Sequence, residues 1–368
     1  MGFFSRKKDD SSRNSSTNSS KSNLNESRKD LIPCSTMLRA PPKSYPVPAG
    51  LDPITEEQFK LYNVVLKHIQ DPNLKLPMNT NDLNKGTTDE SSLRSLSSWE
   101  KFWLTRECIL RHLRANKWNT QETINHLKTT LCWRREVGLT HDPEYPNNLS
   151  PDKIAIENET GKEVLLGFDK MRRPLFYMKN GRQNTEPSFR QVQHMIYMME
   201  NAATLCPQGV ETITVLVDFK FYKEPGVITD KAPPLSIAKA CLAVLERHYP
   251  ERLAKCILIN APWYISAFLK IMYPFLDPAT KEKVIFDEPF EKHIEPEQLE
   301  ALYNGRLDFT YKHDVYWPDM VKACDEMRQV QYERWLKFGG AIGLSEFDLK
   351  GDHEELMYPV DFDMTKLK

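Results

Sequence analysis

The chain has none of the short signatures that announce common enzyme chemistries. Its 14 glycines form no G-x-G-x-x-G and no G-x-x-x-x-G-K-[ST], which excludes the glycine loops that cradle dinucleotides and nucleotide phosphates. There is no G-x-S-x-G elbow, no H-E-x-x-H and no Cys/His spacing suited to zinc, so hydrolase and metal readings have no motif to stand on. Seven cysteines, an odd number, lie far apart with no C-x-x-C. With no leader pattern at the N-terminus, free thiols in the cytoplasm are expected. Charge of one sign is also missing. Lys and Arg number 50 against 51 Asp and Glu, a balance that argues against nucleic acid as the main partner. Nor is there an unbroken membrane-length apolar run. Residues 257–276 carry a single charge, Lys270, but Asn260, Pro262 and Pro274 interrupt them, which fits a strand followed by a short helix better than a span. A 368-residue chain with these gaps is expected to be a non-enzymatic binder without cofactor or metal, large enough to bury a full core.

Residues 1 to about 30 are Ser, Asn, Lys, Arg and Asp with almost nothing apolar after Phe4, a composition that cannot bury enough surface to fold. Ser5 followed by Arg6 is the wrong spacing for myristoylation. Phe3 and Phe4 beside Arg6, Lys7 and Lys8 leave a weak interfacial anchor as the alternative to an untethered tail. Thr55-Glu56-Glu57-Gln58 reads as a capping box, and Phe59, Tyr62, Val65, Leu66 and Ile69 form one apolar face behind it. A polar loop over 71–97 is expected next. Helices are then predicted from 98 to about 115 and from 119 to Gly138.

From residue 163 the periodicity changes. Strands are predicted at 164–166, 175–177, 212–217, 255–259 and 284–286. Helices are predicted at 187–205, 235–248 and 296–303, with a last amphipathic one over about 318–338. This alternation implies a largely parallel sheet covered by helices.

One stretch joins a strand to an apolar helix with a charged residue at each end. Tyr249-Pro250-Glu251-Arg252 leads into Ile257-Leu258-Ile259-Asn260-Ala261-Pro262-Trp263, and Pro274-Phe275-Leu276-Asp277-Pro278-Ala279-Thr280 leads to Lys283. Between Trp263 and Leu276 nearly every position is apolar, and a helix apolar all round is buried or meets lipid. Upstream lies Ile109-Leu110-Arg111-His112-Leu113-Arg114-Ala115-Asn116-Lys117-Trp118. In this order the motifs resemble the CRAL-TRIO lipid-binding family, most of all its fungal phosphatidylinositol transfer proteins, over roughly residues 98–310.

The resemblance implies an α/β fold: a mostly parallel sheet whose covering helices form an apolar lipid pocket, preceded by a small all-helical module. The expected division is a tail and linker over 1–45, the helical module over 46–150, the lipid-binding domain over 151–310 and a helical extension over 311–368. It also implies that Glu251, Thr280 and Lys283 surround an inositol phosphate headgroup. Lys117 adds a cation from the helical module, which also offers Arg111 and Arg114. Asn116 stands where the family usually has a basic residue. Trp263, Phe268, Met272, Phe275 and Leu276 fall in the gate, with Pro262, Pro274 and Pro278 as hinges.

Dual-specificity members of the family hold phosphatidylcholine with a Ser-x-Thr pair and two tyrosines. Here those places are Ile213, Val215, Leu165 and Phe176, so a buried choline phosphate lacks partners, at a cost of several kcal/mol. Thr212 and Thr214 fall on the opposite strand face. An apolar pocket also admits a sterol, with Tyr177 or the pocket residue Tyr249 as candidate hydroxyl partners. Exposing two acyl chains of about 30 methylenes to water costs ~25 kcal/mol, so the pocket must open at a membrane. The expected activity is non-catalytic phosphatidylinositol binding and transfer, poor for phosphatidylcholine. The expected partners are a transiently touched membrane surface and lipid-metabolising enzymes. The expected location is cytoplasmic and peripheral to the endoplasmic reticulum, endosome, lipid droplet or cell periphery. The alternative is a sterol- or isoprenoid-responsive scaffold that recruits a partner through the segment after 310.

Overall fold

The computed structural model describes residues 30–48, 50–86, 89–142, 145, 148–228, 234–272 and 278–367. In chain order its main elements are β1 (Ile32–Cys34), α1 (Glu56–Ile69), β2 (Lys75–Pro77), β3 (Leu93–Ser95), α2 (Ser98–Trp103), α3 (Arg106–Ala115) and α4 (Thr120–Val137). They continue with β4 (Glu163–Phe168), β5 (Pro174–Lys179), α5 (Phe189–Leu205), β6 (Ile213–Asp218), α6 (Leu235–His248), β7 (Leu253–Ile259) and α7 (Trp263–Met272). Last come α8 (Pro278–Glu282), β8 (Val284–Phe286), β9 (Leu307–Phe309), α9 (His313–Lys337) and α10 (Glu346–Leu349), with single helical turns between.

Local chemistry sets the helix ends. At α1 the Thr55 hydroxyl oxygen accepts from the Gln58 N–H while the Gln58 side chain accepts from the Thr55 N–H. α4 stops at Gly138, whose φ of +85° suits a residue without Cβ. Tyr62, Val65, Leu66, Leu113, Ile124 and Leu131 form the core of this helical module, and Ile342 and Met364 from the far end of the chain complete it.

The central sheet has the order β4-β5-β6-β7-β8, with β4 antiparallel to β5 and the rest parallel. β6 is buried on both faces, which explains its near-continuous apolar run. The register pairs Leu165 with Phe176, Phe176 with Val215, Val215 with Cys256 and Cys256 with Val284. These residues therefore share one face, joined by Ile213. α5 packs on the β4–β5 part of the sheet and α6 runs beside α5.

Tyr177, Lys179, Leu216 and Asp218 point to the other face, covered by the turns over 290–303. There Tyr177 stacks on Tyr303, with centroids 5.9 Å apart, and the Lys179 ammonium pairs with Glu300 at 2.6 Å.

Several expectations are corrected. Residues 30–45 are not a featureless linker: β1 pairs in parallel with β9, and Met37 is buried. The loop expected over 71–97 contains the antiparallel ladder β2–β3. The single helix expected over 98–115 is two helices, because Thr105 breaks the run and caps α3 by accepting the Cys108 N–H. The helix expected at 296–303 is two separate single turns. α9 starts at His313, with Pro318 inside it. The extension is not a separate unit, since its Tyr316, Trp317 and Met320 lie in the core of the sheet domain. The Tyr316 hydroxyl accepts the Leu165 N–H at 2.7 Å and donates to the Leu165 carbonyl at 2.9 Å, closing the free edge of β4.

Candidate functional site

Parallel strands bring the lip residues to one edge of the sheet. Glu251 precedes β7, and Lys283 precedes its neighbour β8. The Lys283 N–H donates to the Thr280 carbonyl at 3.1 Å, and the Lys283 carbonyl accepts the Cys256 N–H at 2.8 Å. Thr280 and Lys283 thus form one turn fastened to β7. The C-terminal end of α3 meets this edge through the Arg114 guanidinium, which pairs with the Glu251 carboxylate.

The backbone at this lip is unusual. Lys117, Trp118 and Glu251 have φ of +52°, +63° and +56°. At the end of α3 the Trp118 N–H donates to the Leu113 carbonyl at 2.7 Å and the Lys117 N–H to the Arg114 carbonyl at 3.0 Å. This is a Schellman turn, with a lysine where glycine is usual. The exposed Lys117 side chain points away from the packed module.

Asn116, expected beside the headgroup, directs its amide donors inward. Its side-chain N–H groups donate to the His112 carbonyl at 2.7 Å and to His126 Nδ1 at 2.9 Å. The opposite nitrogen of His126 faces the Arg247 carbonyl, which fixes that tautomer. One Asn116 donor is used within α3 and the other on His126 of α4, and only an oxygen remains. Burial lowers the pKa of His112 and His126, and it brings His248 down to about 3. The histidines behind the lip therefore add no charge near neutrality. Arg111 is likewise spent, gripped by Glu211 at 2.6 Å and Glu346 at 2.7 Å.

Tyr249 is engaged too. Its hydroxyl donates to Glu200 at 2.7 Å, and Arg134 holds the same carboxylate at 2.8 Å. It lines a polar cavity of about 110 Å³ between α3, α4, α5 and the C-terminal extension, with Arg111, Arg252 and Glu346. Its ring belongs to the same core cluster as Leu165, Phe176 and Ile213, but its hydroxyl is turned to Glu200. Tyr177 points to the opposite side of the sheet, so neither tyrosine serves as a hydroxyl partner in the apolar pocket.

The pocket face itself carries Leu165, Phe176, Ile213 and Val215 side by side, with no hydroxyl among them. Thr214 is on the other side, donating to Asp169 at 2.8 Å. Cys256 stays half-buried although its strand is paired on both sides, as do Ile237, Cys241 and Val244 of α6. This end of the face is therefore less tightly covered than the part at Leu165, Phe176 and Ile213, which is fully buried. The surrounding protein pushes the Cys256 and Cys241 thiols up to about 12.

One polar group on this face escaped the sequence reading. Glu163 lies opposite Met178, 3.5 Å from His194. Burial pushes its carboxyl up, against the pull of the neighbouring Lys162 ammonium.

Helix α7 is apolar yet displayed. Trp263 is 81% exposed and Ile271 57%, and Tyr264 is also exposed. Phe275 and Leu276 lie outside the described residues, as do Pro274 and the side chains of Phe268, Met272 and Pro278. No helix among the described residues is long and apolar enough to cross a membrane, and no group of His, Cys, Asp and Glu among them could hold a metal ion.

A mostly parallel sheet with an apolar inner face, a charged lip and a docked helical module defines the class. The chain belongs to the CRAL/TRIO family. The CRAL/TRIO domain profile matches residues 158–305, and that of the CRAL/TRIO N-terminal domain matches residues 61–129. The chain is 62% identical over 361 residues to the phosphatidylinositol transfer protein PDR17 of Saccharomyces cerevisiae, covering 98% of this chain and 99% of that one. It is 41% identical over 306 residues to the CRAL-TRIO domain-containing protein C23B6.04c of Schizosaccharomyces pombe, covering 83% of this chain but 28% of the other. Identity to the phosphatidylinositol transfer protein CSR1 of Eremothecium gossypii is 25% over 230 residues, 58% of this chain and 51% of that one.

Proposed function

We propose that this protein binds phosphatidylinositol and carries it between membranes without catalysis, discriminating against phosphatidylcholine. The observation that supports the reading is that the turns carrying Glu251 and Thr280–Lys283 lead into neighbouring parallel strands at the same end of the sheet, beside α3 and next to the apolar face of Leu165, Phe176, Ile213 and Val215. Lys283 and Lys117 supply charge and donors for the phosphodiester, worth about 1.5–3 kcal/mol for a charged hydrogen bond. Glu251 accepts from inositol hydroxyls, and Thr280 can donate or accept. Near-full-length identity to a protein named as a phosphatidylinositol transfer protein supports the choice of lipid.

The choline headgroup finds no hydroxyl at Leu165, Phe176, Ile213 or Val215. Exposed Trp263, Tyr264 and Ile271 beside Lys270 give α7 the composition of a surface that docks on a bilayer. That supports peripheral, transient membrane association.

A second reading, a sterol in the same pocket, is favoured by one observation: the buried Glu163 carboxyl, one oxygen of which has no hydrogen-bond partner, sits on this apolar face.

The test is vesicle-to-vesicle transfer of labelled lipids by the purified protein. Phosphatidylinositol should move readily and phosphatidylcholine at background rate. The Glu251→Ala, Lys283→Ala double variant should lose phosphatidylinositol transfer while melting within a few degrees of the parent. Normal transfer by that variant contradicts the headgroup assignment, and comparable rates for the two lipids contradict the specificity.

A further inference from the structure

The segment after β9 reaches back across the molecule and buries a carboxylate behind the lip. Glu346, at the start of α10, accepts on one oxygen from the Arg111 guanidinium at 2.7 Å, the Thr105 hydroxyl at 3.0 Å and the Arg252 guanidinium at 3.3 Å. The Lys350 ammonium lies 3.6 Å from its other oxygen. Arg111 belongs to the helical module, Arg252 to the turn that carries Glu251, and Glu346 to the extension. One buried anion therefore joins three separate parts of the chain.

The chain of contacts continues outward to the lip. Arg111 also donates to Glu211 at 2.6 Å, and Arg114 stands 3.7 Å from the same Glu211 oxygen while pairing with Glu251. Arg252 donates with its other branch to the Glu211 backbone carbonyl at 2.9 Å. The position of Glu346 is itself fixed. Its N–H and the neighbouring Ser345 hydroxyl both donate to Glu107 of α3, each at 2.6 Å.

We propose that the segment after β9 is a strap that sets the headgroup lip, with Glu346 as its positioning residue and Glu211 as the link to Arg114 and Glu251. The inference rests on the reading of Glu251 as part of that lip. The physical reason is competition. Arg252 is adjacent to Glu251 in sequence, and with Glu346 neutral its guanidinium is free to take the Glu251 carboxylate from Arg114. Arg111 would then lean on Glu211 alone and draw it from Arg114. The α3 end and the β7 turn lose their mutual register, and Lys117 moves with α3.

The experiment is a double-mutant cycle on the full chain. It measures the apparent affinity for phosphatidylinositol extracted from phosphatidylcholine vesicles. Glu346→Gln and Glu211→Gln should each weaken binding about tenfold, and each should change it by less than about twofold once Glu251→Gln is present, because coupled residues do not add. A merely structural role predicts effects that multiply in the double variants, and that outcome overturns the inference, as does parental binding by Glu211→Gln. If Glu346→Gln does not fold, the half-buried Glu211→Gln cycle decides alone. Parental binding by Glu251→Gln overturns the lip reading itself and this inference with it.

Discussion

A side chain other than glycine in the left-handed region costs about 1–2 kcal/mol, and such strain persists where the surroundings impose it. Lys117 and Glu251 both pay it, and both stand at the lip. Lys117 is the cleaner case, because its turn is held by backbone hydrogen bonds that glycine would keep. Lys117→Gly is therefore expected to raise the melting temperature by a few degrees, in line with roughly 1 kcal/mol, while lowering phosphatidylinositol transfer. Thermal melting and a transfer assay on one preparation check both. A gain in stability with unchanged transfer would leave Lys117 out of the headgroup site. Glu200 tests the interface behind the lip. Burial would raise its carboxyl, but the Arg134 guanidinium and the Tyr249 hydroxyl outweigh it and hold it at about 2. A carboxyl depressed on folding stabilises above its unfolded pKa, and that contribution is lost as pH falls from about 4.5 toward 2. At neutral pH it amounts to on the order of 3 kcal/mol. Glu200→Gln is expected to melt well below the parent at pH 7 and to approach it by pH 3. A constant gap across that range would mean that the Arg134 pairing carries no such linkage.

At the scale of elements, α7 is the part expected to touch the bilayer. Its Trp263, Tyr264 and Ile271 side chains face water while Ile265 is buried, so the exposed ones can be removed at little cost to the fold. Replacing Trp263 and Ile271 with Ala should leave the melting temperature nearly unchanged and weaken association with anionic vesicles by about a hundredfold or more, since burying each large side chain is worth about 1.5–3 kcal/mol. Vesicle sedimentation measures this, and unaltered sedimentation would assign membrane contact to another surface. Local signals made much of the fold legible. Thr55 and Gln58 fixed the start of α1, Gly138 the end of α4, and residues 235–248 and 284–286 were found with their observed limits. Leu165, Phe176, Ile213 and Val215 were picked out by the family resemblance, and strand alternation added only that Thr214 turns the other way; that the four share one face comes from the register. Elements defined by distant partners were not legible. β1 exists only because β9 lies beside it, and nothing near Ile32 announces Leu307. Asn116 and Tyr249 sit in the expected motifs, yet their hydrogen bonds go to His126 and Glu200, which no local spacing reveals. Glu163 carried no signal of its own, since burial is not written in the residue type.

At the scale of the whole molecule, the helical module and the sheet domain are joined by side chains from three stretches of sequence. Ile342 and Met364 complete the module's core, Tyr316 closes the sheet edge, and Glu346 sits between Arg111 and Arg252. The lip is a junction between these parts, and the apolar face lies behind it. The central claim is that this site holds phosphatidylinositol, and the lipid carried by the intact protein tests it most directly. Native mass spectrometry of the gently purified chain is expected to show a bound species with the mass of phosphatidylinositol, absent from the Glu251→Ala, Lys283→Ala double variant. A chain that carries phosphatidylcholine or a sterol as its principal ligand, or that keeps phosphatidylinositol after both substitutions, would contradict the account.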